Sequence, residues 1–477
     1  MDNRIKIVST STNGQQFNIE ANYNYYLHGP LARTLLGPRD GVQGLDYAYT
    51  IQGWLKSVNG SLRQAWRDIG KDGWVPPGST PVNPNVNVGR DALAYTLSYF
   101  DDDYKPTGGA IYQPELSNVN NTWIYDFAGN LYNGNIRNMT VDIQGFEAMG
   151  TANIYDQLNR IKGTQTMFNP YYKDWEWNQT AVRTYAYEES EIVYDKNGNI
   201  KFYVRNDESG NVMDDLEYLY KPNTNQLDRV KEYAGPTAYS DDIEAQSTNN
   251  YTYDAIGNLR GDNSEGLSIF WNNFGKVDSI SDSNDDIALK FVYDPSGNRI
   301  EKRFYPSYGQ PHIRNVTYYI RDAQGNILAN YFRAQDYSNV GGLPSDDYYF
   351  SDWHMYGSSR LGVASNNELL ASTTQLITWS GPLSGLRDGN RYYELTNHLG
   401  NVLITVPDVL SAVDTSMDAD PDYNEAYIQT AQDYYPFGMI QPGRTIATNE
   451  YRFTFNGQEK FEFETPLNLN GDSLLFK

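Results

Sequence analysis

Tyr194-Asp195-Lys196-Asn197-Gly198-Asn199 runs into Ile200-Lys201-Phe202-Tyr203-Val204-Arg205, and that run into Asn206-Asp207-Glu208-Ser209-Gly210-Asn211. The two Asp-x-x-Gly-Asn phrases stand 12 positions apart (207 − 195), the length of one strand plus one turn. Their residue types suit tight reversals. An Asp carboxylate can accept hydrogen bonds from backbone N–H groups two residues on, and Gly three positions later supplies the positive φ that closes a hairpin with a bulge. The residues between them, rich in β-branched and aromatic side chains, read as a strand.

The phrase recurs at Asp126 and Gly129, Asp254 and Gly257, Asp294 and Gly297, and Asp322 and Gly325, making six copies with Asp195 and Gly198 and with Asp207 and Gly210. Chance at this composition would supply fewer than about one. Looser copies are Asp156-Gln-Leu-Asn159, Asn272-Asn-Phe-Gly275 and Asn397-His-Leu-Gly400. Tyr125, Tyr155, Tyr194, Tyr253 and Tyr293 stand directly before five of these turns. Each ring is expected to pack on the sheet with its hydroxyl in water. The chain is therefore expected to be all-β, a run of antiparallel hairpins none of which can bury a face alone, with little helix. Gly60–Trp66 is the best short surface helix, and Asn424–Ala431 reads as a crossing between strands. Residues 70–90, 235–250 and 335–346 read as irregular loops.

The 477 residues carry 37 Lys and Arg against 60 Asp and Glu, a formal charge of −23. Such a surface repels phosphate backbones and anionic lipid, which argues against nucleic-acid and membrane-surface binding. With 41 Tyr, 18 Phe and 9 Trp the composition is that of a folded protein. Cysteine is absent, which excludes disulfides, thiolate nucleophiles and thiolate metal sites. No apolar run approaches the roughly 18 residues a spanning helix needs, so no membrane insertion is expected. The first twenty residues lack the hydrophobic stretch of a signal peptide.

Residues with catalytic or ligating chemistry are thinly spread. His28, His312, His354 and His398 are far apart in sequence, and His398 sits inside a turn repeat. Asp418, Asp420 and Asp422 alternate as calcium ligands do, but Tyr423 stands where such a loop wants Gly and Gln429 where it wants Glu. They are weak calcium candidates, as is Asp101-Asp-Asp103, and no other cofactor is expected. The scattered Trp residues permit glycan binding, with core packing as the simpler use.

The Tyr-Asp-x-x-Gly-Asn phrases resemble YD repeats, the unit of bacterial Rhs proteins, of shell components of insecticidal toxin complexes and of teneurins. Longer blocks are similar to the Rhs repeat-associated core branch: Gly29-Pro-Leu-Ala-Arg33, Gly44–Lys56, Tyr393–Val402, Tyr434-Tyr-Pro-Phe-Gly-Met439 and Phe455-Asn-Gly-Gln-Glu-Lys460. The resemblance runs from about residue 22 to 460. It implies hairpins spiralling into a curved or hollow β-shell that, in toxin members, encloses a C-terminal toxic domain. In the family the block like Phe455–Lys460 is usually followed by Tyr-Asp-Pro-x-x-Gly-Arg and a variable domain, with self-cleavage nearby in many toxin members. Residues 461–477 lack that motif, so the chain is expected to be a C-terminal portion of a shell without toxin or cleavage site.

The expected divisions are 1–124 with the Gly44–Lys56 block, the hairpin array 125–405, and the core-associated segment 406–477, all one continuous architecture. The expected function is non-enzymatic: a wall that encapsulates, carries or presents a partner or toxin polypeptide in a secreted or cell-surface bacterial system. Its partners would be the missing shell portion, a toxin cargo or export machinery, with a basic partner favoured by the charge. A glycan-binding surface adhesin and a self-cleaving shell are the rival expectations.

Overall fold

The computed structural model describes residues 4–11, 17–38, 41–75, 83–105, 127–168, 183–235, 243–282, 287–305, 313–336, 345–373, 389–418, 420–446 and 451–459. Among them the chain is all-β, built as two large antiparallel sheets with no closed barrel. The first has 13 strands, from Ile7–Thr10 to Leu227–Glu232, each paired with the strand before and the strand after it in sequence. The second has 14, from Tyr251–Tyr253 to Ile440–Ile446, and keeps sequential order except where a two-stranded sheet, Leu410–Val413 with Tyr423–Ala426, is inserted. The break between the large sheets is bridged by Gln246, whose backbone N–H donates to the Val230 carbonyl while its side-chain oxygen accepts from the Val230 N–H, both at 2.9 Å.

The repeat turns have the chemistry expected of them and one part more. Asp195 Oδ1 accepts from the N–H groups of Asn197 (2.8 Å) and Asn199 (2.9 Å), and the Asn199 amide donates to Oδ2 at 2.8 Å. The fifth residue is therefore Asn because its amide binds the carboxylate oxygen that the backbone leaves over. The same arrangement forms at Asp207, Asp254, Asp294 and Asp322, with Gly198, Gly210, Gly257, Gly297 and Gly325 at φ between 80° and 97°. Asn397 keeps the two backbone bonds, to Leu399 and Asn401, with Gly400 at φ 83°. The copy at Asp126 departs from this. Asp126 lies outside the described residues, Gly129 has no positive φ, and the Asn130 side chain instead donates to Asp101 and accepts from Arg137.

Among the described residues the tyrosines before the turns do not leave their hydroxyls in water, while Tyr125 lies outside those residues. Tyr194 donates to the carbonyl of Ile161, Tyr220 to Ile200 and Tyr293 to Val277, each at 2.7 Å, and Tyr253 donates to Leu227 at 3.1 Å. In these four the acceptor is the first residue of the preceding strand, and for Tyr155 it is Ile136, just before the strand Asn138–Ile143, so each bond fastens one hairpin to the next. Main-chain pairing stops short of this point: between Ile200–Asn206 and Val212–Tyr220 the last pair is Phe202 with Glu217, leaving Ile200 and Tyr220 beyond it. The hairpins splay there, and the long tyrosine spans the gap to an otherwise unpaired carbonyl. Where the position is not Tyr another long donor serves, Trp271 Nε1 to Leu259 (2.7 Å) and Arg321 Nε to Arg299 (2.8 Å). Tyr220→Phe and Tyr293→Phe are each expected to lose about 1 kcal/mol in urea unfolding, and the double variant about the sum. Unchanged stability in both would show that the ladder contributes nothing.

Two further expectations are corrected. Gly60–Trp66 forms irregular turns and no helix. Asn59 and Gly60 take φ of 59° and 101°, and both the backbone N–H and the side chain of Arg63 are drawn onto Asp142. Asn424–Ala431 is divided between the strand Tyr423–Ala426 and the start of Thr430–Tyr434.

The main core lies between the two sheets. Ala21, Tyr23, Leu36, Val58, Leu93 and Leu97 of the first pack with Met355, Leu361, Tyr393, Leu395, Leu403 and Val406 of the second. The ribbon thus folds back, burying the N-terminal strands of one sheet under the C-terminal strands of the other.

Candidate interaction rim and the seam between the sheets

In a sequential antiparallel ribbon the connections alternate between two rims, and strand order places all but one of the repeat turns on the same rim. The turns starting at Asp156, Asp195, Asp254, Asn272, Asp294, Asp322 and Asn397 share it, together with Thr50-Ile-Gln-Gly53 and Tyr435-Pro-Phe-Gly438, which close in the same way with other first residues. Asp207 alone of the described repeats lies on the opposite rim. Neighbouring turns are cross-linked by amides: Asn133 and Asn135 donate to Asn159, and Asn197 and Asn199 donate to Asn225. The tips of several are apolar. Leu158, Ile256, Phe274 and Leu399, each directly before the left-handed residue, are exposed, Ile256 by 84% and Phe274 by 83%. Their signal in the sequence is an apolar third residue inside an otherwise polar turn.

The seam between the sheets is held by buried charge. Arg391 Nε donates to Glu20 Oε1 at 3.1 Å and Nη1 to Asp408 Oδ2 at 2.6 Å, while the Tyr393 hydroxyl donates to Glu20 Oε2 at 2.7 Å. Glu20 and Tyr393 are fully buried. Tyr23 approaches so closely that a Cβ on Gly357 would lie 1.9 Å from its hydroxyl oxygen. Further along, Tyr187 donates to the Pro442 carbonyl (2.7 Å), Tyr435 to Asn206 (2.5 Å) and Arg444 to Glu147 (2.9 Å).

Residues 451–459 pack against the second sheet through a polar cluster. Arg452 pairs with Asp352, the Tyr451 hydroxyl with Glu394, and Glu459 meets Lys302 at 3.2 Å and the Tyr319 hydroxyl at 2.9 Å. Burial opposes ionisation of Glu459, yet the charges of Lys302, Arg452 and Arg299 outweigh it and hold the carboxyl below its ordinary value. His354 adjoins this cluster, 3.5 Å from Asp352 and 3.1 Å from the Asn330 amide, with its side chain fully buried.

The other residues singled out from sequence do not converge. His28 stacks on Tyr26, His398 sits in its turn with burial lowering its pKa to about 4, and His312 lies outside the described residues. Asp418, Asp420 and Asp422 are not brought together as ligands among the described residues. Asp422 Oδ2 accepts from the N–H groups of Thr415 (2.7 Å) and Ser416 (3.0 Å), and Asp418 caps the Asp420 N–H at 3.0 Å. Of the Asp101–Asp103 run, Asp103 pairs with the buried Lys56 at 2.8 Å and Asp101 with Arg137 at 2.9 Å. Trp54 packs on Tyr99 and Trp353 on Phe350, while Trp66 is half exposed; Trp123, Trp175, Trp177 and Trp379 lie outside the described residues. No helix among the described residues is long and apolar enough to cross a membrane.

No family model and no curated protein matches the chain. Among solved structures it is similar to a chain of the Photorhabdus luminescens Tc holotoxin pore, at 11% identity and a TM-score of 0.28. The match covers 96% of this chain and 23% of that one, so the chain spans less than a quarter of its neighbour's length.

Proposed function

We propose that the chain is a non-enzymatic wall segment of the Rhs type, which encloses, carries or presents another polypeptide in a secreted or cell-surface bacterial system. The observation that carries this reading is the tyrosine ladder. Ordered polar side chains are spent on fastening each hairpin to the next and on sealing the seam, as a chain whose product is a continuous surface requires. The resemblance of the repeat blocks to Rhs core segments supplies the class of cargo, a toxin or other exported polypeptide. The exposed apolar turn tips and the sheet edge at Ile7–Thr10 are surfaces on which such a chain would meet its neighbour.

Co-expression with the polypeptides encoded on either side of its gene tests the proposal. One of them should co-purify in fixed stoichiometry and resist protease while bound. The chain should keep its intact mass on prolonged incubation and bind nothing on a glycan array. A monomer indifferent to both neighbours would defeat the wall reading, glycan binding would favour the adhesin, and spontaneous cleavage the self-processing shell.

A further inference from the structure

The long connection between the strands Leu55–Val58 and Leu93–Ser98 carries Asp68-Ile-Gly70-Lys-Asp72-Gly73, which places carboxylates at the first and fifth positions and a glycine at the sixth. Its acids are buried, Asp68 exposed by 2% and Asp72 by 0%. Asp46, from the strand Gln43–Tyr49, joins them, and one carboxylate oxygen from each of the three lies within 4.8 Å of the others. The third position is Gly70, and the Arg33–Asp46 ion pair fills the space a side chain there would take: a Cβ on Gly70 would run into Arg33 Nη1 first and Asp46 Oδ2 next. The strand supplies the ligand that the loop omits.

Two observations separate this cluster from a self-satisfied acidic patch. Asp68 Oδ1 and Asp72 Oδ2 are buried and receive no hydrogen bond. Arg33 pairs with Asp46 and, at 2.6 Å, with Asp72 Oδ1, and acts on Asp68 only through its charge, so one guanidinium stands against three carboxylates. A fourth, Asp91, is satisfied separately by the amides of Gln43 (2.8 Å) and Asn59 (2.9 Å). Uncompensated buried carboxylate oxygens are costly, and a hard cation relieves that cost where all the donors are oxygen. We propose that Asp46, Asp68 and Asp72 form a calcium site, with Arg33 as a fixed counter-charge on its flank. The site ties the long connection to the first sheet, a role separate from the proposed cargo, so its failure would leave the wall reading intact.

Terbium titration tests it, because Trp66 and Trp74 flank the loop and can sensitise the ion's emission. The full chain stripped with EDTA should give saturable emission corresponding to one ion per chain, displaced by calcium and poorly by magnesium. Asp68→Asn and Asp72→Asn should each weaken binding by about tenfold or more. Asp418→Asn and Asp422→Asn should leave it unchanged. Calcium should also raise the unfolding temperature of the wild-type chain by a few degrees. Should the Asp variants fail to fold, Gly70→Ala provides a second route, since its methyl group intrudes on the Arg33–Asp46 pair without removing a charge. Equilibrium dialysis of the wild-type chain provides a stoichiometry that depends on no variant. No bound calcium by dialysis, or emission that follows the Asp418 and Asp422 substitutions, would overturn the assignment.

Discussion

Arg391→Met is expected to destabilise the protein by about 3–5 kcal/mol, the cost of breaking a buried ion pair by removing one partner. Arg391 neutralises Glu20 and Asp408 together, and all three are buried. Methionine fills comparable volume, so the loss reads out charge more than cavity. Glu20 keeps the Tyr393 hydroxyl on Oε2 and the Thr10 hydroxyl on Oε1, which satisfy both oxygens but do not balance the charge. Because Glu20 belongs to the first sheet and Arg391 to the second, their closure should fail before either sheet melts. The expected signature is early hydrogen exchange in Asn18–Tyr25 and Arg391–Thr396, with Tyr251–Phe304 still protected. The triple variant Glu20→Gln, Arg391→Met, Asp408→Asn should recover much of the loss, since it leaves no unpaired charge. A single variant as stable as wild type would show that the seam is held by the apolar core alone.

What was legible in the sequence follows from how far apart the interacting residues lie. The repeat turns were readable because Asp195, Gly198 and Asn199 sit within five residues and their chemistry is local. The all-β class followed from them. The purpose of the tyrosines was not legible, because the acceptor of Tyr220 is Ile200 in the neighbouring strand and depends on how the hairpins splay. The seam was beyond reach for the same reason: Glu20 and Arg391 are 371 positions apart and no local pattern marks either as a partner. The carboxylate centre is not legible in sequence because its loop has Gly70 where a ligand is expected, and Asp46 comes from a strand. The Asp418 run had the better spacing and the poorer surroundings, since its carboxylates are exposed and spent on their own loop. Gly60–Trp66 reads as helical because Leu62, Arg63, Gln64 and Ala65 favour helix, and a contact with Asp142, 79 positions from Arg63, outweighs that weak preference.

The buried carboxyl of Glu189 should contribute stability that falls as pH rises from about 4.5 to 7. Its side chain is fully buried on the strand Glu189–Tyr194, and burial pushes its pKa up to about 7, an effect that the Tyr203 hydroxyl and the Arg205 charge only partly offset. Arg205 is already engaged with Asp214 at 2.5 Å, and Glu189 Oε2 receives no hydrogen bond, so the ionised form is poorly solvated. The groups facing it are Tyr203, Arg205, Asp214 and Tyr435. The sign follows from the raised value. The folded state holds this proton more tightly than the unfolded chain, so the contribution is fully present below the ordinary Glu pKa of 4.5 and is lost as pH rises through about 7. The difference corresponds to about 3 kcal/mol between acid and mildly alkaline solution. Glu189→Gln keeps the shape and cannot ionise, so it should match wild type near pH 5 and exceed it near pH 8. Urea midpoints of both proteins across that range measure the difference directly, and parallel profiles would show that the Glu189 carboxyl ionises inside the fold at no cost.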